Sequence, residues 1–305
     1  MQLKSVWWLF YFKRLKNERR IKMSKKKTAQ LLESLNERID QVQSSSEFKK
    51  VLRFFSKFHN YSYQNSMLIL MQKPEASFVA GYRQWQKKFN RHVKKGEKGI
   101  AILAPFTYKK EVKKSNINSN TSDEETEEVK KTYFNTVYVF DISQTEGEPV
   151  PQMDMELENT NQELINLLLD YAVSQEIEVG FKSLSGGTDG YSRGGEIVIN
   201  ENANETEQAS ILVHELAHEH LHFNSESNSL NLSKEIIEME AEAVAFVVMD
   251  YFNIESKSDK YLALYKESYD LMESFKRIND VSSRILDYLL AAEDNEDSEE
   301  EIDNK

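Results

Sequence analysis

The stretch Val213–Phe223, VHELAHEHLHF, constrains the chain more than any other: four of its six histidines fall within residues 214–222. Residues four apart stack on one face of a helix, so imidazoles at that spacing reach one metal ion only if the segment is helical. The zinc-peptidase pattern H-E-x-x-H occurs twice, as His214-Glu215-Leu216-Ala217-His218 and as His218-Glu219-His220-Leu221-His222. Spacing alone does not choose between the two registers. The flanks favour the first. Leu216 and Ala217 suit the packed positions inside such a motif, and the approach ASILV sets His214 in mid-helix, whereas His222 sits at the helix end before Asn224. At 100° per residue, Leu212, Leu216 and Phe223 gather on one side and His214 and His218 face away from them.

A catalytic zinc takes three protein ligands and keeps one position open. The next helical pattern, KEIIEMEAEAVAFVVMDYF, offers Glu235, Glu238, Glu240 and Glu242. The last two lie in an alanine- and valine-rich run, where an ionised carboxylate carries a high desolvation cost unless a cation offsets it. A Zn2+ ion would be such a cation, so Glu240 and Glu242 rank above the two more exposed acids before them. One would ligate while the other orients a histidine from behind. The expected chemistry is metal-assisted hydrolysis, with Glu215 accepting and then returning the proton. The strand EIVIN (196–200) is expected to line the cleft and pair with an extended peptide. Tyr191, in the glycine-rich loop before it, is a candidate oxyanion donor, against the plainer reading of a loop aromatic.

The chain has no cysteine, which excludes disulfides and thiolate zinc sites. Its 305 residues accommodate about two domains of ordinary size. The net charge of −12 is unevenly spread: residues 1–28 carry ten Lys/Arg and one acid, and 293–303 carry eight acids and no base. The early apolar run Val6–Phe12 is too short to span a membrane and lacks a cleavage site, so a cytoplasmic protein without membrane contact is expected, with Met23 an alternative start. The overall expectation is an α+β chain of two domains. A basic disordered leader (1–28) precedes a first domain at 29–148, whose charged stretch 110–131 reads as a disordered loop between two strands. A proline-containing linker at 149–157 leads to a second domain at 158–292, followed by an acidic disordered tail at 293–305.

From Lys73 to Lys98 there are eight bases against two acids, with Tyr82, Trp85 and Phe89 interleaved. Basic groups follow phosphates while aromatic faces stack on unpaired bases, at about 1–3 kcal/mol per stack. The candidate DNA-binding residues are Tyr82, Arg83, Trp85, Lys87, Lys88, Arg91, Lys94, Lys95 and Lys98. Trp85 and Phe89, four apart, fit the core face of a helix equally well. No recognition-helix or zinc-finger pattern is present, so sequence-specific readout is not expected.

VHELAHEHLH followed by EMEAEAVAFVV resembles the ImmA/IrrE-type zincin-like metallopeptidases. The resemblance implies His214, His218 and Glu240 as metal ligands and Glu215 as the catalytic acid–base. Glu219 and Glu242 depart from the pattern, and the second leaves the third ligand open between Glu240 and Glu242. In the first half, YSYQNSMLILMQKPEASFVAGYRQWQKKFNRHVKKGEKGIAILAPF and YVFDISQTEGEPVP resemble the N-terminal domain of ArdC-type antirestriction proteins over much of 45–152. Together these imply a single-stranded-DNA-binding domain joined to a zincin-like domain with an HExxH active-site helix. They further imply a mobile-element protein that shields incoming DNA from host defence during conjugation; a host restriction or repressor protein is a candidate peptide substrate. Two other readings stand beside this one: a zincin domain that binds zinc without turnover, and a regulatory peptidase merely localised by DNA.

Overall fold

The computed structural model describes residues 26–37, 39, 42, 44–113, 126–150, 160–223, 232–255 and 270–303. The helices are α1 (Ser45–Lys57), α2 (Tyr63–Gln72), α3 (Tyr82–Lys87), α4 (Thr160–Ser174), α5 (Glu205–His222), α6 (Lys234–Tyr251) and α7 (Leu271–Asp303), besides helical residues at 26–37. The strands are β1 (Val79–Gly81), β2 (Arg91–Val93), β3 (Ile100–Lys113), β4 (Thr126–Asp141), β5 (Thr145–Gly147), β6 (Glu178–Lys182), β7 (Gly190–Ser192) and β8 (Glu196–Asn200). This is the mixed helix-and-strand architecture expected. The described residues fall into two compact units, drawn from Met1–Asn36 with Val79–Gly147 and from Glu37–Phe78 with Glu148–Lys305.

In the first unit, β4 is central in an antiparallel sheet of order β1-β4-β3, and β2 pairs with β5. The long β3–β4 pairing follows from two β-branched and aromatic runs, IAIL and TVYVF, whose Ile100, Ile102, Leu103 and Val139 are buried. Trp85 is the largest fully buried side chain among the described residues, and its indole N–H donates to the Phe140 carbonyl at 2.9 Å. Gly147 (φ +140°) lets β5 close on β2, since a Cβ there would meet the Asn90 carbonyl at 2.6 Å.

In the second unit, α1 starts at the Ser44 cap and packs against α6 and α7, with Phe48 and Phe55 both on the ring of Phe275. The three-stranded sheet runs β6-β8-β7, parallel between β6 and β8 and antiparallel between β7 and β8. Helix α5 opens with a reciprocal cap between Asn204 and Glu207 and packs on α4, α6 and the β7–β8 edge of the sheet. Helix α6 begins at the Ser233 cap and is buried almost continuously from Met239 to Met249.

Several expectations change. Packing groups α1 and α2 with the C-terminal helices, whereas composition had placed them in a first domain at 29–148. β3 and β4 carry their pairing out to Lys113 and Thr126, well into the stretch expected as a disordered loop. Helix α7 continues to Asp303, through most of the stretch expected as a disordered tail. Residues 1–25 of the leader, 114–125 of the charged stretch and 151–159 around the linker lie outside the described residues. Among the described residues no helix is long and apolar enough to cross a membrane.

Candidate functional site

His214 and His218 project from one face of α5 towards α6, and their Nε2 atoms lie 3.1 Å apart. Glu238 Oε2 of α6 stands 3.6 Å from each. Three donors at mutual distances of 3.1–3.6 Å match the edges of a small tetrahedron, for which metal–ligand bonds of about 2.0–2.1 Å require about 3.3 Å. The donor set, two imidazoles and a carboxylate, suits a divalent ion. It is the only such grouping of His, Asp and Glu found among the described residues. On the far side of the ring, His214 Nδ1 meets Glu242 Oε2 at 3.0 Å. A carboxylate there fixes the Nδ1–H tautomer and leaves Nε2 as the lone-pair donor.

The acids of α6 therefore sort differently from the sequence ranking. Glu238 and Glu242, four apart, share the face turned to α5, while Glu240, two residues on from Glu238, faces the opposite way. Glu240 is fully buried, but its compensating cation is Arg277 of α7, whose Nε lies 3.0 and 3.1 Å from the two carboxylate oxygens and whose Nη2 also contacts Oε1. Ser274 donates to the same oxygen at 2.6 Å. Glu240 is thus not brought to the histidines. Glu238, passed over for its exposure, is. Burial pulls the His214 pKa down, but the carboxylates of Glu238 and Glu242 outweigh it and hold it up at about 9. The same contacts to His214 and His218 hold Glu238 well below the usual carboxylate range.

Glu215 is buried on α5 beside β7, and burial raises its pKa against the opposing charges of His214 and His218 and a hydrogen bond from Ser192. Gly190 makes room for it: a Cβ there would meet Ile211 at 2.5 Å and Glu215 Oε1 at 3.3 Å. Since Gly190 and Ser192 face α5, strand alternation turns Tyr191 to the other side, where the Arg193 guanidinium lies 4.5 Å from its ring. Tyr191 is therefore not placed as an oxyanion donor. EIVIN is likewise no docking edge, because β8 is flanked on both sides by β6 and β7.

The remaining residues of the histidine stretch have other contacts. Glu219 accepts from the backbone N–H groups of Gly194 and Gly195 at 2.8 and 2.7 Å, tying the β7–β8 turn to α5. His220 pairs with the Tyr171 hydroxyl at 2.9 Å. His222 bonds the backbone at Ile237 and packs its ring 5.7 Å from that of His218. Burial pushes both His220 and His222 down to about 4.

In the basic stretch, Trp85 has no face to offer a base, being fully buried. Arg91 is committed to Thr145 and the Gly147 carbonyl, and Lys94 to the Ser143 carbonyl. Tyr82, Arg83, Lys87, Lys88, Lys95 and Lys98 remain exposed. Sequence reasoning missed Ser192, which carries no motif signal, and the exposed aromatics of the β3–β4 ribbon.

Comparisons with known proteins give two family matches on successive parts of the chain, the first of which also takes in α1 and α2. Residues 21–140 fit the family model of the N-terminal domain of anti-restriction factor ArdC, and residues 173–276 fit the IrrE N-terminal-like domain of the M78 peptidases. An uncharacterized Bacillus anthracis protein is 26% identical over 87% of this chain, which spans about half (53%) of that relative's length. The metal-free crystal structure of antirestriction protein ArdC from plasmid R388 aligns with a TM-score of 0.44 and 15% identity, covering 75% of this chain and 84% of that one. Its Mn(II)-bound form aligns at 0.41 and 14%, covering 75% and 83%. Over these two spans the chain matches the model of the ArdC N-terminal domain and that of the IrrE-like M78 peptidase domain, each over about a third of its length.

Proposed function

We propose that the chain is a single-stranded-DNA-binding antirestriction protein of a mobile element whose second unit hydrolyses peptide bonds with a divalent ion. The observation that carries the hydrolytic half is the convergence of His214, His218 and Glu238, whose ligand atoms all lie within 4.8 Å of one another. These residues would hold the ion, with zinc the first candidate for an imidazole–carboxylate set. When bound, the ion supplies Lewis acidity for attack of water on a carbonyl. Glu242 holds the His214 ring in its ligating tautomer. Ser192 holds the Glu215 carboxylate, and burial brings its proton affinity towards the range a general base and acid needs. Glu215 then takes the proton from water and passes it to the leaving amine. The first half of the reading rests on the ArdC-type domain and the exposed bases of 83–98.

Glu215→Gln is the separating variant. It should keep its metal and its affinity for single-stranded oligonucleotide while losing cleavage of candidate host proteins and protection from restriction in cells. Unchanged protection and cleavage by Glu215→Gln would remove hydrolysis from the mechanism.

A further inference from the structure

Strand alternation puts Thr136, Tyr138 and Phe140 of β4 on one face of the first unit's sheet and the buried Val139 on the other. The residues that the register sets beside the two rings are small: Ala101 of β3 lies opposite Tyr138, and Ala80 of β1 lies opposite Phe140. Gly99 completes this bed, since a Cβ there would meet the Tyr138 Cβ at 2.9 Å and the Phe140 ring at 3.1 Å. With nothing tall beside it, Tyr138 stays 47% exposed. Tyr82, the first residue of α3 directly after β1, sets its ring edge-on to Phe140 with centroids 6.2 Å apart, and is 49% exposed. Neighbouring aromatic rings left half in water on a bed of glycine and alanine mark an interaction surface.

The rim of this patch is cationic. Lys27 Nζ donates to the Tyr138 hydroxyl at 3.1 Å and lies 5.7 Å from the centre of its ring. Arg83, exposed, follows Tyr82 on α3. Residues 79–99 carry seven bases against one acid, Glu97, and the adjoining strand residues 99–107 and 132–140 carry no acid at all. A positive rim around flat apolar rings suits an anionic chain with flat apolar units better than it suits an apolar peptide.

We infer that unpaired DNA crosses this end of the sheet, with bases stacked on Tyr82 and Tyr138 and a phosphate at Lys27. The inference rests on the DNA-binding reading and gives it a location centred on the sheet rather than on the basic run 87–98. Flat aromatic faces accept any unpaired base, and a lysine beside them holds the backbone without reading sequence.

The test measures affinity of the full chain for a labelled oligo-dT by anisotropy between 50 and 200 mM salt, roughly the range over which phosphate contacts reveal themselves. Folded Y82A/Y138A should bind at least about tenfold more weakly, Y82F/Y138F should bind as wild type, and F106A, on the opposite face of the sheet, should change little. K27A should lower the salt slope by about 0.7, the value of one lost phosphate contact on a single strand. Photocrosslinking of the wild type to an oligo-dT carrying iododeoxyuridine should put its adducts on Tyr82 or Tyr138, a readout that needs no variant to fold. Wild-type affinity in Y82A/Y138A with binding lost instead in F106A, or adducts confined to other residues, would overturn this location and leave DNA binding intact. Failure of the wild type to bind oligo-dT at all would sink both.

Discussion

The two sides of α6 carry carboxylates with opposite fates. On the side facing α7, Glu240 is fully buried, neutralised by Arg277 and hydrogen-bonded by Ser274; on the side facing α5, the Glu238 side chain is 46% exposed and stands at the histidines. Burial of an acid in an apolar helix shows that some cation must compensate it. It does not say which cation. A salt bridge from within the chain serves as well as a metal, and an open metal site that must admit water is better served by the half-exposed acid.

The largest expected effect breaks the α7 side. Glu240→Ala leaves Arg277 without its buried partner and should cost about 3–5 kcal/mol of stability by urea unfolding, with metal stoichiometry unchanged at temperatures where the variant is folded. Next comes acid. His220 and His222 have folded-state pKa values near 4, below the ordinary 6.5. The unfolded chain therefore binds more protons between those values, and stability present above pH 6.5 is lost as pH falls from about 6.5 to about 4. The loss is on the order of 2 kcal/mol per histidine, and His220→Gln should flatten the decline in a pH series of melting temperatures. On the α5 side, Glu242→Gln loosens the His214 ring and should weaken metal affinity about ten- to a hundredfold without abolishing binding. The smallest effect sharpens the register: His222→Ala should keep one ion per chain, whereas His218→Ala should keep none.

Much of this was legible in the sequence where periodicity carries the information. The β3–β4 pair, the strand at 196–200 and α5 followed from apolar spacing, and so did the sharing of one α5 face by His214 and His218. The third ligand was not, because the choice between Glu238 and Glu240 turns on Arg277, about forty residues further on, whose contact no local pattern reveals. One local signal was available: Glu238 and Glu242 are four apart, as are His214 and His218, and faces that meet at a site share that spacing. EIVIN looked like an edge because its neighbours, β6 and β7, are short and interrupted by glycines. Trp85 had two readings of equal standing, and its hydrogen bond to Phe140 from across the sheet decided for the core.

The central claim is that His214, His218 and Glu238 together hold one divalent ion. Its most direct test is metal content and calorimetric titration of Glu238→Ala beside Glu240→Gln, with circular dichroism establishing that each is folded. The account predicts that folded Glu238→Ala fails to retain an ion while folded Glu240→Gln binds one per chain as the wild type does. One tightly held ion in Glu238→Ala, together with its loss from folded Glu240→Gln, would contradict it.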